Sequence, residues 1–361
     1  FEDILSLEEN IATSVVQVLR LKMTEKDKRA IAAREVNNAA AYEYYLKARQ
    51  ELERYREDAL DRGLQYLQSG LALVGDNALL YSAMAYGYFQ YVNLGIKMDD
   101  NAAKAVEYAK KALALDPSSS KAYVVLGLIE NVFRGNQKES VRYLKKALSL
   151  SPNDFEALFW LATIYAHYLG KISAAVPLIE RAAQVDPLNL LVYNVQGAAY
   201  ANDFRIDLAL KPLSKSYQMD PGNAATAGGY AMVLIKNRKI DEASSVIDQM
   251  VKTFRDNEYT KLALVWKYAF LNDRTNLFKE MTPDFQEICR TDSAPSAWLA
   301  SALALVGEKE KALDWLENAV NRGFINYPYA ERDPWLASIR GEARFKKILE
   351  RVKYEWEHFE E

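Results

Sequence analysis

The chain of 361 residues (41.0 kDa) is half apolar and 26% charged, ordinary values for a globular protein that exclude wholesale disorder. Its 46 Lys and Arg against 49 Asp and Glu leave a net charge of −3, without the basic surplus expected of a nucleic-acid binder. The single cysteine, Cys289, excludes an internal disulfide, and no apolar run reaches the ~20 residues needed to cross a bilayer.

The chain opens on Ile4, Leu7, Ile11, Val15 and Val18, an apolar stripe at helical spacing. Thr24 then caps a second short helix, with Asp27 at the capping-box position. No signal peptide is visible. The pattern starts inside a helix at Phe1, so residues 1–38 are expected to be a joint to an upstream domain, which packs on residues 1–22.

From residue 39 onward the pattern repeats. Tyr42 to Gln50 form a first helix, and Gly63, Leu67, Gly70 and Gly75 mark a second with steps of 4, 3 and 5. Tyr81, Met84, Ala85 and Tyr88 begin the next first helix, with Ala105, Ala109 and Ala112 on its partner. Pro117, Pro152, Pro187 and Pro221 follow at spacings of 35, 35 and 34, each closing a phrase such as Ala112-Leu-Ala-Leu-Asp-Pro117. Twelve positions before each proline stands a small residue (Ala105, Ser140, Ala175, Ala209), where two helices can approach closely. The proline ends the second helix, because it lacks the next backbone donor and restrains the residue before it. Tyr230, Ala231, Ala243, Ile247 and Met250 continue the pattern without the proline. Residues 257–290 read as a degenerate repeat broken near Pro283, and Leu299, Ala300, Leu303, Ala312, Leu316 and Ala319 as a last unit.

The spacing predicts an all-α chain of about twenty helices. About seven helix pairs form an α-solenoid, a right-handed superhelix over residues 39–323, and residues 324–361 are read as capping helices. The many-position pattern resembles the tetratricopeptide repeat family, whose period is about 34. Ala312-Leu-Asp-Trp-Leu-Glu-Asn-Ala319, Asp333-Pro-Trp335 and Arg344-Phe345 resemble the end of the repeat region in bacterial multidomain signalling proteins. Asp3-Ile-Leu-Ser-Leu-Glu-Glu-Asn-Ile11 and Ala41-Tyr-Glu-Tyr-Tyr-Leu-Lys-Ala-Arg49 resemble its start. In such proteins the region follows a serine/threonine kinase, a nucleotide cyclase or a winged-helix domain. The resemblance implies a regulatory, protein-binding scaffold module in the cytoplasm or the periplasm, with any catalytic domain upstream.

No chemistry-bearing constellation stands out within the chain, and no catalytic residue, cofactor or metal site is assigned. Gly222-Asn-Ala-Ala-Thr-Ala-Gly-Gly229 lacks the lysine of a phosphate-binding loop and reads as small packing residues. His167 and His358 have no zinc-ligand spacing around them. Asp99-Asp100 reads as a solvated turn and helix cap, and Cys289 as a buried structural thiol.

Recognition remains. In a repeat solenoid the first helices line the concave face, the usual binding surface. Counting one, five, eight and nine positions on from each first-helix signature residue yields a candidate peptide groove of Tyr86, Phe89, Leu128, Asn131, Phe159, Thr163, His167, Asn194, Asn202, Met232 and Lys236. The family's Lys/Asn clamp for acidic C-terminal tails is missing, since Ser82, Tyr86, Val124 and Leu128 stand there. The groove therefore suits an apolar or neutral segment, with aromatic anchors and asparagines that contact the partner's main chain. Two other occupants compete: a small molecule sensed by a regulatory domain, or the chain's own flanking helix or loop, since an open apolar trough is costly to leave wet.

Overall fold

The computed structural model describes residues 38–54 and 56–360. The expected stripe and joint over residues 1–22, and the cap at Thr24, lie outside the described residues. Among the described residues there are only helices, turns and connecting segments, as the periodicity predicts. They form two compact units, the first ending at Ile129 and the second being Glu130–Glu361.

The first unit holds α1 (Ala39–Leu52), α2 (Glu57–Val74), α3 (Ala78–Asn93), α4 (Met98–Leu115) and α5 (Ser120–Leu128). Helices α1 and α2 pack together, as do α3 and α4, around Ala41, Tyr45, Leu52, Leu60, Leu67, Leu80 and Met84. Gly63 and Gly87 make this possible: a Cβ on Gly87 would lie 2.8 Å from Leu64 Cδ2. Asp99 and Asp100 stand in the first turn of α4, where carboxylates complement the helix dipole.

The second unit begins with α6 (Gln137–Leu150) and continues with α7 (Phe155–Thr163), α8 (Ile172–Val185), α9 (Leu190–Asn202) and α10 (Ile206–Met219). Next come α11 (Ala224–Lys236), α12 (Ile240–Phe254), α13 (Glu258–Phe270) and the short α14 (Arg274–Glu280). Pro283 then opens α15 (Pro283–Thr291) at its first turn, where a missing N–H costs nothing. Two further helices, α16 (Ser293–Leu305) and α17 (Lys309–Asn321), complete the last pair. The tail is α18 (Tyr327–Arg332), a 3₁₀ turn (Pro334–Ile339) and α19 (Ala343–Glu357), which buries Phe345, Ile348 and Val352. Counted over both units, seven helix pairs are complete among the described residues: two in the first and five in the second.

Three local devices explain the period. Each first helix starts on a short polar side chain that takes up an otherwise orphaned N–H: Ser119, Asp154, Asn189, Asn223 and Asn257 accept from Ala122, Ala157, Leu191, Thr226 and Tyr259. Close axes are set by small residues, so a Cβ on Gly197 would meet Leu213 Cγ at 2.4 Å. From α5 onward each first helix also ends in a left-handed residue: Gly135, Gly170, Phe204, Arg238, Asn272 and Gly307 all have positive φ. That series runs unbroken through residues 257–290, where the sequence pattern fades.

The two 35-residue spans each carry one extra residue relative to the 34-residue span. Both absorb it in a wide π-helical turn at the end of the first helix, Ile129–Phe133 and Ile164–Tyr168. Helix α9, in the 34-residue span, is regular to its end.

Candidate peptide groove

Of the eleven groove residues, three lie in the first unit. Phe89 and Leu128 are fully buried. Tyr86 is half-buried, and its hydroxyl accepts from Gln90 Nε2 at 3.0 Å.

The other eight lie in the second unit. Phe159, on α7, is half-buried and stacks on Phe155 at 5.9 Å, with Trp160 edge-on at 5.5 Å. Thr163 donates to the Phe159 carbonyl at 2.9 Å. Asn194 is half-buried and donates to the Ala225 carbonyl at 3.3 Å, linking α9 to α11. Asn131, Thr163, Asn202 and Met232 are buried, while His167 and Lys236 are half-buried. None of the eleven is exposed.

In the second unit the chain's own C-terminal elements lie over His167 and its neighbours. The Ile325 N–H donates to the Tyr168 carbonyl at 3.0 Å. Asn326 Nδ2 donates to the His167 carbonyl at 3.2 Å, and the same side chain caps α18 by accepting from the Tyr329 N–H at 3.0 Å. Trp356 Nε1 donates to the Leu169 carbonyl at 2.7 Å. The wide turn at 164–168 leaves these carbonyls without the usual helical donors, so the tail supplies them. His167 stands edge-on to Trp298 at 5.8 Å, and the Tyr168 hydroxyl reaches Asp292 at 3.3 Å.

Two glycines make the approach possible. A Cβ on Gly170 would sit 2.1 Å from Asn326 Oδ1, and one on Gly135 would sit 2.6 Å from the Arg322 carbonyl. Both also have φ near +65°, a left-handed value that glycine adopts without strain. Further along, Lys236 Nζ lies 5.5 Å from the rings of Phe204 and Tyr329 and 5.9 Å from Trp335. Phe204 stacks on Tyr329, and Arg332 pairs with Asp203 at 2.8 Å.

Burial dominates the electrostatics here. It pushes His167 down to about 4 and lowers Lys236, with Asp333 opposing the latter. It raises Asp292, against the Ala294 N–H, the Tyr168 hydroxyl and the Arg322 charge. The result is an aromatic and carboxamide-rich seam whose backbone acceptors take donors from the tail.

Asn326, Tyr329, Trp298 and Trp356 complete this face, and reasoning from the repeat passed them over. The available signal was the pair Gly135 and Gly170, 35 residues apart, together with the uncharged run Phe324-Ile-Asn-Tyr-Pro-Tyr329.

Residues 120–154 and 203–264 match models described as tetratricopeptide repeat. No curated protein sequence matches the chain. Similar solved structures include the pilF protein of Pseudomonas aeruginosa, at 19% identity over 58% of this chain and 97% of that one, with a TM-score of 0.43. PilW, a type IV pilus biogenesis factor, is 14% identical over 58% of this chain and 97% of its own, with a TM-score of 0.48. A tetratricopeptide repeat protein from Parabacteroides merdae is 15% identical over 76% and 98%, with a TM-score of 0.46. With its helix pairs, its 34- to 35-residue period and two matched stretches, the chain carries tetratricopeptide repeats.

Proposed function

We propose that the chain is a protein-interaction module that holds a neutral peptide or protein segment on its first-helix faces, as the regulatory part of a larger bacterial signalling protein in the cytoplasm. The observation that carries this reading is the seat of Ile325 and Asn326. At the ends of the first helices, free carbonyls already take donors from an uncharged segment, and aromatic rings receive Tyr329. The signalling context rests on the resemblance at both ends of the sequence.

The test is a displayed peptide library panned on the full chain and on its Tyr86→Ala and Phe159→Ala variants. Neutral peptides with aromatic anchors are expected, with affinity falling roughly thirtyfold in at least one variant, the weight of a buried aromatic anchor. Enrichment of acidic tails alone, or binding indifferent to both substitutions, overturns the reading.

A further inference from the structure

The closing segment of the second unit has the character of a bound peptide. It crosses the two wide turns in succession: Arg322 and Gly323 lie against Gly135, then Ile325 and Asn326 against Tyr168 and His167. It uses a main-chain N–H, a carboxamide and, three residues beyond the carboxamide, an aromatic ring. Between Gly323 and Ala330 it carries no charge.

The seam beneath it is poorly satisfied. Gln137, His167, Asn202 and Ser293 are each buried or half-buried and carry a buried side-chain polar atom that makes no hydrogen bond. Asn131 and Asp333 in the second unit, and Gln90 in the first, also carry such atoms. A buried polar group without a partner forfeits its hydration, so a seam rich in such groups costs less to open than a dry core. Two of them, His167 and Asn202, are groove positions read from the repeat, and both would find partners on a longer or better-matched peptide.

We propose that the second unit is a gated peptide site. The segment Arg322–Arg332 acts as an internal ligand, and a partner segment of the same chemistry displaces it. That partner is an uncharged segment in which a carboxamide caps a short helix and is followed three residues later by an aromatic ring, as Asn326 is by Tyr329. The proposal rests on the interaction reading above and adds its regulation: the site is closed until a competitor outweighs the internal copy.

Two measurements on the full chain test it. The first is hydrogen exchange of the unmodified protein. The Ile325 amide is expected to exchange faster than the amides of α16 and α17, because the segment opens alone. Exchange of Ile325 only together with those helices makes the segment a permanent part of the core and overturns the proposal.

The second uses a fluorescent peptide of residues 321–332 and the Asn326→Asp variant. Aspartate keeps the cap on the Tyr329 N–H but sets a carboxylate oxygen opposite the His167 carbonyl, weakening the internal seat. The variant is expected to bind the peptide about tenfold tighter than the parent, the weight of one lost hydrogen bond. Equal binding by parent and variant overturns the gate. Should library peptides bind while Ile325 stays locked with α16 and α17, the gate fails and the interaction reading stands. Should Ile325 open alone and no peptide bind either form, both fail.

Discussion

Asn326 donates from its side chain to the main-chain carbonyl of His167 at 3.2 Å, across 159 residues of sequence. That bond joins the end of the chain to the wide turn of an early repeat, and its surroundings are specific enough to test by substitution.

Gly170 and Gly307 share a left-handed backbone but differ in their neighbours. Gly307 faces open space, whereas a side chain at Gly170 would collide with Asn326 and Pro328. Gly307→Ala is expected to cost only the conformational penalty, about 1–2 kcal/mol. Gly170→Ala adds a steric clash against the closing segment and is expected to cost clearly more in urea melts. Equal losses would show that the segment yields freely at this point.

Gly197 lies against Leu213 and the Ala209 carbonyl, where two helices of one repeat meet. Alanine improves helix propensity by about 1 kcal/mol. Overpacking at a contact this close costs ~1–3 kcal/mol. Gly197→Ala is therefore expected to lower the melting temperature despite the better propensity. A rise would place the axes farther apart than described.

His167 supplies a pH dependence whose sign follows from its burial. The folded chain holds its imidazole neutral down to about 4, whereas the unfolded chain accepts a proton near 6.5. The stability contributed by the neutral ring is complete above about pH 6.5 and is lost as pH falls toward about 4. The full span amounts to roughly 3 kcal/mol. Burial raises Asp292 at the same time, which acts in the opposite direction at the acid end and is common to parent and variant. Denaturant midpoints of the parent and of His167→Gln at about pH 7.5 and about pH 4.5 are expected to diverge, with the variant losing less on acidification. Parallel losses would show that His167 meets water in the fold.

Cys289 is buried on α15, and burial pushes its thiol far above the ordinary range, with Asp292 and Glu258 adding to the effect. The thiolate is the reactive form, so the native protein is expected to resist thiol reagents and to react fully once unfolded. Labelling followed against denaturant checks this. Rapid labelling of the folded chain would move α15 to the surface.

Much of the architecture is legible in a single sequence, because each repeat signals through local chemistry. Helix-ending prolines at Pro117, Pro152 and Pro187, polar first-helix caps at Ser119, Asp154 and Asn189, and small residues such as Ala175 and Gly197 recur every 34 or 35 positions. Each acts within one or two turns of helix. The extra residue of the 35-residue spans was equally visible as a number. Its outcome, a wide turn with unpaired carbonyls, depends on how the helix closes.

The groove is another matter. Repeat register assigns Phe159, Asn194 and Asn202 to one face, yet register says nothing about what covers that face. Sequence alone determined the helices and their pairing, since these follow from periodic contacts between neighbours. Only the tertiary structure decided that Ile325, Asn326 and Trp356 close over the turn at 164–168. Those contacts join residues more than 150 positions apart, in a segment outside the period, and rest on backbone carbonyls that no side-chain pattern encodes.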